Sequence, residues 1–310
     1  MAGVDVSILI TCPRCGTRYS VAKNKIPPRV RSFRCKACST SFPWEGKEEP
    51  GREPRRLAIS LSKAGVGKTT TAVNLAAGLA LAGFSVLLVD ADPAGRAAAS
   101  LGVARPEGGL FGLVAGELSP EQVLVEARER LWLLPGGHSL SGLRRIIAGQ
   151  GRAGEATLAQ TLAGVEGRFD YVLVDTSPDW DALTIGILAY VRELIIPVSL
   201  EVMSVQGFGE FLQLLEARGR YGKELRLKYI VPTFYDPRIR KSVDIYEKFR
   251  NVYGELVCAP IACDGELAEN QGLGKTVFDL DRESRGRQDY EALVRKVAGL
   301  PPLPPSGEAG

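Results

Sequence analysis

The sequence predicts an α/β protein: a parallel sheet with helices on both faces, built around a phosphate-binding loop and preceded by a small four-cysteine module. Three observations carry that expectation. From Leu57 onward, short β-type runs alternate with helix-length segments, the pattern of parallel strands joined by helical crossovers. The first run leads directly into Lys63-Ala64-Gly65-Val66-Gly67-Lys68-Thr69-Thr70, a glycine-bearing turn that opens a helix. Upstream, four of the six cysteines fall into two close pairs.

The cysteine module spans residues 1–46. Cys12, Cys15, Cys35 and Cys38 give the spacing C-x2-C-x19-C-x2-C, suited to two knuckles that bring four thiolates around one tetrahedral Zn2+. Four cysteines leave no open coordination position, so such a metal would hold the fold rather than catalyse. Gly16 follows the first pair, where a knuckle turn needs a permissive backbone. Tyr19, Val21, Ile26, Phe33 and Phe42 supply apolar side chains for a core too small to stand without metal. The segment resembles the short zinc ribbons found at the N-termini of assorted bacterial proteins.

Residues 47–56 (KEEPGREPRR) contain no apolar side chain and read as a linker. The run LAISL then begins the sheet, followed by a helix over Thr69–Ala82, and SVLLVD, YVLVD, ELIIPV and LKYIV continue it. A last helix is expected over Gln288–Ala298, before a proline-rich tail at 301–310. No internal repeat is apparent. His138, in the loop-like PGGHSLSG, is expected at the surface, and Cys258 and Cys263 as buried thiols.

Composition excludes several classes. The chain has 310 residues, 45% hydrophobic and 24% charged, which excludes disordered, collagen-like and small disulfide-rich chains. No stretch approaches the roughly 18 apolar residues of a membrane span, and a cytoplasmic location is expected. The net charge of +3 conceals a division. Residues 1–56 hold 12 basic and five acidic side chains, leaving 27 and 31 for residues 57–310. Between Cys12 and Phe42 lie Arg14, Arg18, Lys23, Lys25, Arg29, Arg31, Arg34 and Lys36, with no acidic residue. Such a patch suits nucleic-acid phosphates, an acidic protein, or simply solvent.

The loop chemistry is that of an anion cradle. Gly65 and Gly67 let the backbone approach phosphates, and the helix start aims amides and a positive dipole end at them. Lys68 would reach the β- and γ-phosphates of ATP, and the Thr69 hydroxyl would ligate Mg2+.

Across residues 57–300 the motifs, in order, resemble the ParA/MinD family of deviant Walker A ATPases. Lys63 occupies the signature position of K-G-G-V-G-K-T-T. SVLLVDADPAG resembles V-L-L-V-D-x-D-P-Q-G, YVLVDTSP the Walker B strand, VPTFYDPRIRKS the T-x-Y-D-x-R segment, and LAENQGLGKTV with Asp289-Tyr290 the C-terminal end. The resemblance implies roles. Residues 63–70, with Asp90 and Asp175, would form the ATP and Mg2+ site. Lys63 would reach across an ATP-bound homodimer, Asp92 would position the attacking water, Asp175 would hold the Mg2+ water shell, and Asp90 would support it. Lys63, Lys68 and Asp92 are thus the candidate catalytic residues.

The implied activity is slow, partner-stimulated hydrolysis of ATP to ADP and phosphate, driving a switch that positions or partitions DNA or a cellular complex. Its expected partners are non-specific DNA, such as the nucleoid, and a ParB-like or cargo-adaptor activator. Departures from the family are Ala64 for a glycine, Ala94 for the usual Gln, and Cys263-Asp264-Gly265-Glu266 where many members carry R-N-x-R, one of whose arginines contacts DNA. Arg238 matches the other basic contact, with Arg240 and Lys241 beside it. A membrane-bound MinD-type switch would need an amphipathic C-terminal helix, which PPLPPSGEAG does not provide. The competing class is a zinc-ribbon adaptor whose ATPase body is a nucleotide-dependent interaction platform with little turnover.

Overall fold

In the N-terminal unit, residues 1–52, the described residues form two hairpins. The computed structural model describes residues 7–22, 32–43, 53–104, 107–219, 225–265, 267, 272–280 and 284–302. β1 (Ser7–Thr11) pairs antiparallel with β2 (Arg18–Ala22), and β3 (Ser32–Arg34) with β4 (Ser41–Pro43). Each hairpin carries one cysteine pair in its turn. The Cys12 amide donates to the Thr17 carbonyl at 2.9 Å, and the Cys35 amide to the Thr40 carbonyl at 2.8 Å. Gly16 (φ 71°) and Ser39 (φ 57°) take the same left-handed place after the second cysteine. CPRCGT and CKACST are therefore a structural repeat, which six residues are too few to reveal by sequence periodicity. Ile10, Cys12, Cys35 and Phe42 form the core, with Tyr19, Val21 and Phe33 against it. Ile26, Lys23, Lys25, Arg29 and Arg31 lie outside the described residues.

The second unit begins at Glu53. Its first strand, β5, spans Arg55–Ile59, so Arg55 and Arg56, read from sequence as the end of a linker, are part of the sheet. Distant carboxylates explain this. Arg55 makes a bidentate pair with Glu193 (3.1 and 2.6 Å), and Arg56 one with Glu166 (2.8 and 2.6 Å).

Along the chain follow α1 (Lys68–Leu81), β6 (Val86–Ala91), α2 (Arg96–Ser100), α3 (Gly109–Val114), α4 (Pro120–Val123), β7 (Val125–Arg128) and β8 (Leu131–Leu134). Then come α5 (Leu140–Gly149), α6 (Arg152–Ala163), β9 (Tyr171–Thr176), α7 (Ala182–Tyr190), β10 (Glu193–Ser199), α8 (Val202–Gly219), β11 (Arg226–Thr233) and α9 (Arg240–Tyr253). The last helix described, α10, spans Arg285–Ala298. The strands lie in the order β11-β10-β5-β9-β6-β8-β7. All neighbours are parallel except β7, which runs antiparallel to β8 at the edge.

Period-two alternation sorts the strand side chains into two layers. Leu57, Ile59, Val86 and Leu88 join a cluster with α1 and α10, while Ala58, Leu87 and Val89 join one with α5 to α9. Helices thus cover both faces. α1 is buried nearly all round, and Gly78 is what permits it: a methyl group there would lie 2.4 Å from Val294 Cγ2 and 2.7 Å from Phe278 Cζ. Trp132 lies within β8 against Phe169, and Trp180 packs on Phe211. Among the described residues no helix is long and apolar enough to cross a membrane.

Candidate functional site

The C-terminal ends of β5, β6 and β9 converge on one place, as the topology of a parallel sheet requires of its central strands. Residues 60–67 leave β5 and turn into α1, with Gly65 at φ 75° and Gly67 at φ 84°. No side chain caps the start of α1, and its first turn carries no acidic residue. Its leading amides are therefore available to an anion. The Thr233 hydroxyl, from the end of β11, donates to the Val66 carbonyl at 3.0 Å and fixes the loop from behind.

Lys68 is 7% exposed, and its Nζ donates to the Lys63 carbonyl at 2.6 Å, which folds the loop around the ammonium group. Burial lowers its pKa, against the pull of Asp175 and Asp92. Lys63 is half-buried, its stem beside Gly207 of α8, where an added methyl group would lie 3.8 Å from Lys63 Cβ. Ala64 is exposed, and Thr69 and Thr70 are half-buried.

Three carboxylates face this loop. Asp90 and Asp175 are register partners on adjacent strands, both fully buried. Asp90 accepts the amides of Asp92 (3.0 Å) and Ala97 (3.1 Å), which shapes the turn into α2. Asp92 accepts the Ala94 amide at 2.9 Å, and its other oxygen lies 3.7 Å from Arg96. Neither oxygen of Asp175 has a hydrogen bond of normal geometry. Burial pushes its pKa well above the usual carboxylate range, Asp90 and Asp92 add to this, and the Thr69 hydroxyl and Lys68 oppose it. An orphaned buried carboxylate beside a threonine hydroxyl and uncapped helix amides fits a hydrated divalent cation on a polyphosphate. The cavity in front of them, about 210 Å3, is lined by residues of the loop together with Asp92, Arg96, Ser100, Pro178 and Phe234.

Sequence reasoning brought together Lys68, Thr69, Asp92 and Asp175, and missed Arg96, Arg144, Thr233 and Phe234. Phe234, at φ 54° and 43% exposed, stands at the cavity mouth. It lies inside the TFYD segment already singled out, so that signal was present. Arg144 of α5 ties the loop after β9, donating to Ser177 Oγ and Asp179 Oδ2 at 2.9 Å each; no local motif marks it. Arg238 is exposed and forms a bidentate pair with Asp236 at 2.9 and 2.8 Å. Arg240 and Lys241 are exposed, and Glu266 lies outside the described residues. His138 is exposed as expected, and Cys258 is buried with its thiol pushed up to about 11 by burial. Cys263, by contrast, is exposed: it sits in the segment after α9, where its backbone amide donates to the Tyr235 carbonyl.

The N-terminal unit carries the other cluster. The sulfurs of Cys12, Cys15, Cys35 and Cys38 lie within 4.8 Å of one another, with Cys12 to Cys38 at 3.6 Å and Cys15 to Cys35 at 3.5 Å. A tetrahedral zinc with Zn–S bonds of about 2.3 Å places its sulfurs about 3.8 Å apart, so the four fit that ion. The Tyr19 hydroxyl accepts the Ala37 amide at 3.0 Å, which directs its own hydrogen to Cys35 Sγ, 3.1 Å away. That hydrogen bond is the main cause of the fall of the Cys35 thiol to about 6, whereas burial raises the Cys12 thiol to about 11.

Comparison with known proteins agrees with this geometry. Residues 54–226 match the model of a family described as an AAA domain, and residues 9–43 match a zinc-ribbon domain. The chain is 38% identical over 245 residues to the chromosome-partitioning ATPase Soj of Thermus thermophilus, covering 78% of this chain and 95% of that one. It is 32% identical over 250 residues to the chromosome partitioning protein ParA of Caulobacter vibrioides, covering 78% and 93%. A solved ATP complex of a point variant of Cyanothece McdA superimposes with a TM-score of 0.72 at 20% identity, covering 81% of this chain and 99% of that one, a likeness of fold.

Proposed function

The chain belongs to the ParA/MinD family of P-loop ATPases, and from that premise we propose that it is an ATP-dependent dimerising switch that positions or partitions DNA or a cellular complex. The observation that carries this reading is the orphaned, buried Asp175 carboxylate facing Thr69 and Lys68 at the start of α1. The loop amides and Lys68 would bind the phosphates of ATP, while Thr69 and Asp175 would hold Mg2+ and its water. When bound, Mg2+ supplies charge neutralisation at the phosphates. Asp92 orients the attacking water, Asp90 holds Asp92 in place through the turn, and Lys63 reaches the phosphates of a second copy. Phosphoryl transfer needs little more from a protein than this positioning and charge.

Light scattering tests the dimer. The parent is expected to double its mass with ATP, and Lys63→Ala to remain monomeric; a Lys63→Ala dimer indistinguishable from the parent's would refute the assignment. Stimulation of turnover by DNA supports the positioning switch. The second reading, an adaptor with little turnover, is favoured by Arg96, whose guanidinium stands 3.7 Å from the Asp92 oxygen that would receive a water proton. Tight ATP binding without turnover, with or without DNA, would select it.

The N-terminal unit is read as a structural zinc site whose exposed Arg14, Arg18, Arg34 and Lys36 present positive charge. Tyr19→Phe removes the hydroxyl that orients Cys35 and is expected to weaken zinc retention about tenfold in chelator competition with the full chain. Retention equal to the parent's would take Tyr19 out of the metal site.

A further inference from the structure

We infer that Arg144 shields the phosphate pocket from the charge of Asp179, making it a positioning residue for nucleotide binding; this rests on the ATP-binding reading above. The segment from Ser177 to Asp181 connects β9 to α7, and Pro178 within it lines the cavity in front of Lys68. Asp179 follows at once. Its side chain is 59% exposed, and its charge reaches Lys68, whose pKa it helps to hold up. Asp92 already lines the cavity, and Asp90 and Asp175 are buried close by, so a further uncompensated carboxylate near its rim would repel a polyphosphate.

Arg144 answers that charge from outside the loop. Its Nη1 donates to Asp179 Oδ2 and its Nη2 to Ser177 Oγ, while Nε lies 2.7 Å from Asp181 Oδ2. The three partners do different work. Asp181 also caps α7 by accepting the Thr184 amide at 2.9 Å, and Ser177 accepts the Asp179 amide at 3.3 Å, so both have structural tasks of their own. Asp179 joins the local fold through its backbone, its carbonyl accepting the Thr184 hydroxyl at 2.9 Å. Among the described residues, the hydrogen bond its carboxylate accepts is the one from Arg144. Pairing with Arg144 therefore leaves the carboxylate in place and sets a positive charge directly against it, weakening the repulsion that phosphates in the cavity would meet.

A charge shield and a mechanical latch predict different signs. Affinity for a fluorescent ATP analogue with Mg2+ is measured for the full-length parent, Arg144→Met, Asp179→Asn and the double variant. Shielding predicts that Arg144→Met binds about fivefold more weakly and that Asp179→Asn, which leaves Arg144 positive, binds more tightly than the parent. The double variant is expected within about twofold of the parent, and the differences should shrink between about 0.05 and about 0.5 M salt. Weaker binding by Asp179→Asn, or a double variant no better than Arg144→Met, would overturn the inference in favour of a latch. Should Arg144→Met fail to fold, the near-isosteric Asp179→Asn decides alone by its sign. A parent that binds no ATP refutes the functional reading instead, so the two failures are distinguishable.

Discussion

Lys68→Ala is expected to lose ATP binding by at least about a hundredfold, with little change in the melting temperature of the nucleotide-free protein. The first half follows from charge. Lys68 is the buried cation at the loop, and charge-assisted hydrogen bonds from a desolvated ammonium to phosphate are among the strongest contacts a site can offer. The second half follows from its pKa. Burial lowers it despite Asp175 and Asp92, so the folded state holds that proton less well than the unfolded chain does, and the charge costs stability at neutral pH. Removing it offsets the loss of the charge-assisted hydrogen bond to the Lys63 carbonyl, itself about 2 kcal/mol. The same shift gives a sign in pH. Because the charged form binds phosphate, affinity should fall as pH rises through the lowered Lys68 pKa, earlier on the alkaline side than for an exposed lysine. Isothermal titration checks affinity, and calorimetric melting checks stability. A variant that still binds ATP within about threefold of the parent would remove Lys68 from the site.

What was legible in the sequence is what is contiguous in it. The loop from Lys63 to Thr70 is a single run whose chemistry is local: two glycines, a lysine, a hydroxyl and the start of a helix. The cysteine spacing is legible for the same reason, since two short turns bring the ligands together. Fully buried strands such as Val86–Ala91 and Tyr171–Thr176 stand out as continuous apolar runs. By contrast, β7 at the sheet edge is half-buried and reads VEAR, an alternation only four residues long and too short to mark it. Arg55 and Arg56 looked like linker because charge next to proline and glycine usually is, yet Glu166 and Glu193, more than a hundred residues away, make them structural. Asp90 stands out by its position at a strand end, but that it also accepts the amides of Asp92 and Ala97 is something only the folded turn shows. Arg144 belongs with these: its partners lie on a different element, so no spacing within its own segment announces it.

Asp92→Ala is expected to retain ATP binding within a few fold while hydrolysis falls by about a hundredfold or more, the scale on which a positioned proton acceptor contributes. The substitution alone does not separate chemistry from architecture, because Asp92 Oδ1 also accepts the Ala94 amide and so holds the turn that leads into α2. Asp92→Asn separates them. The amide keeps the side chain's size and a carbonyl oxygen for the Ala94 N–H, but it is a neutral, weak acceptor for a water proton, and it frees Arg96 from its ionic neighbour. If Asp92 orients and polarises water, both variants lose turnover alike in single-turnover assays while binding persists. If it only braces the turn, Asn restores turnover and Ala does not. If Arg96 restrains Asp92, Arg96→Ala should raise turnover in the parent and leave Asp92→Asn unchanged. Turnover within about threefold of the parent in both Asp92 variants would place the water-orienting group elsewhere. Asp92 is the carboxylate that lines the cavity, whereas Asp175 is fully buried.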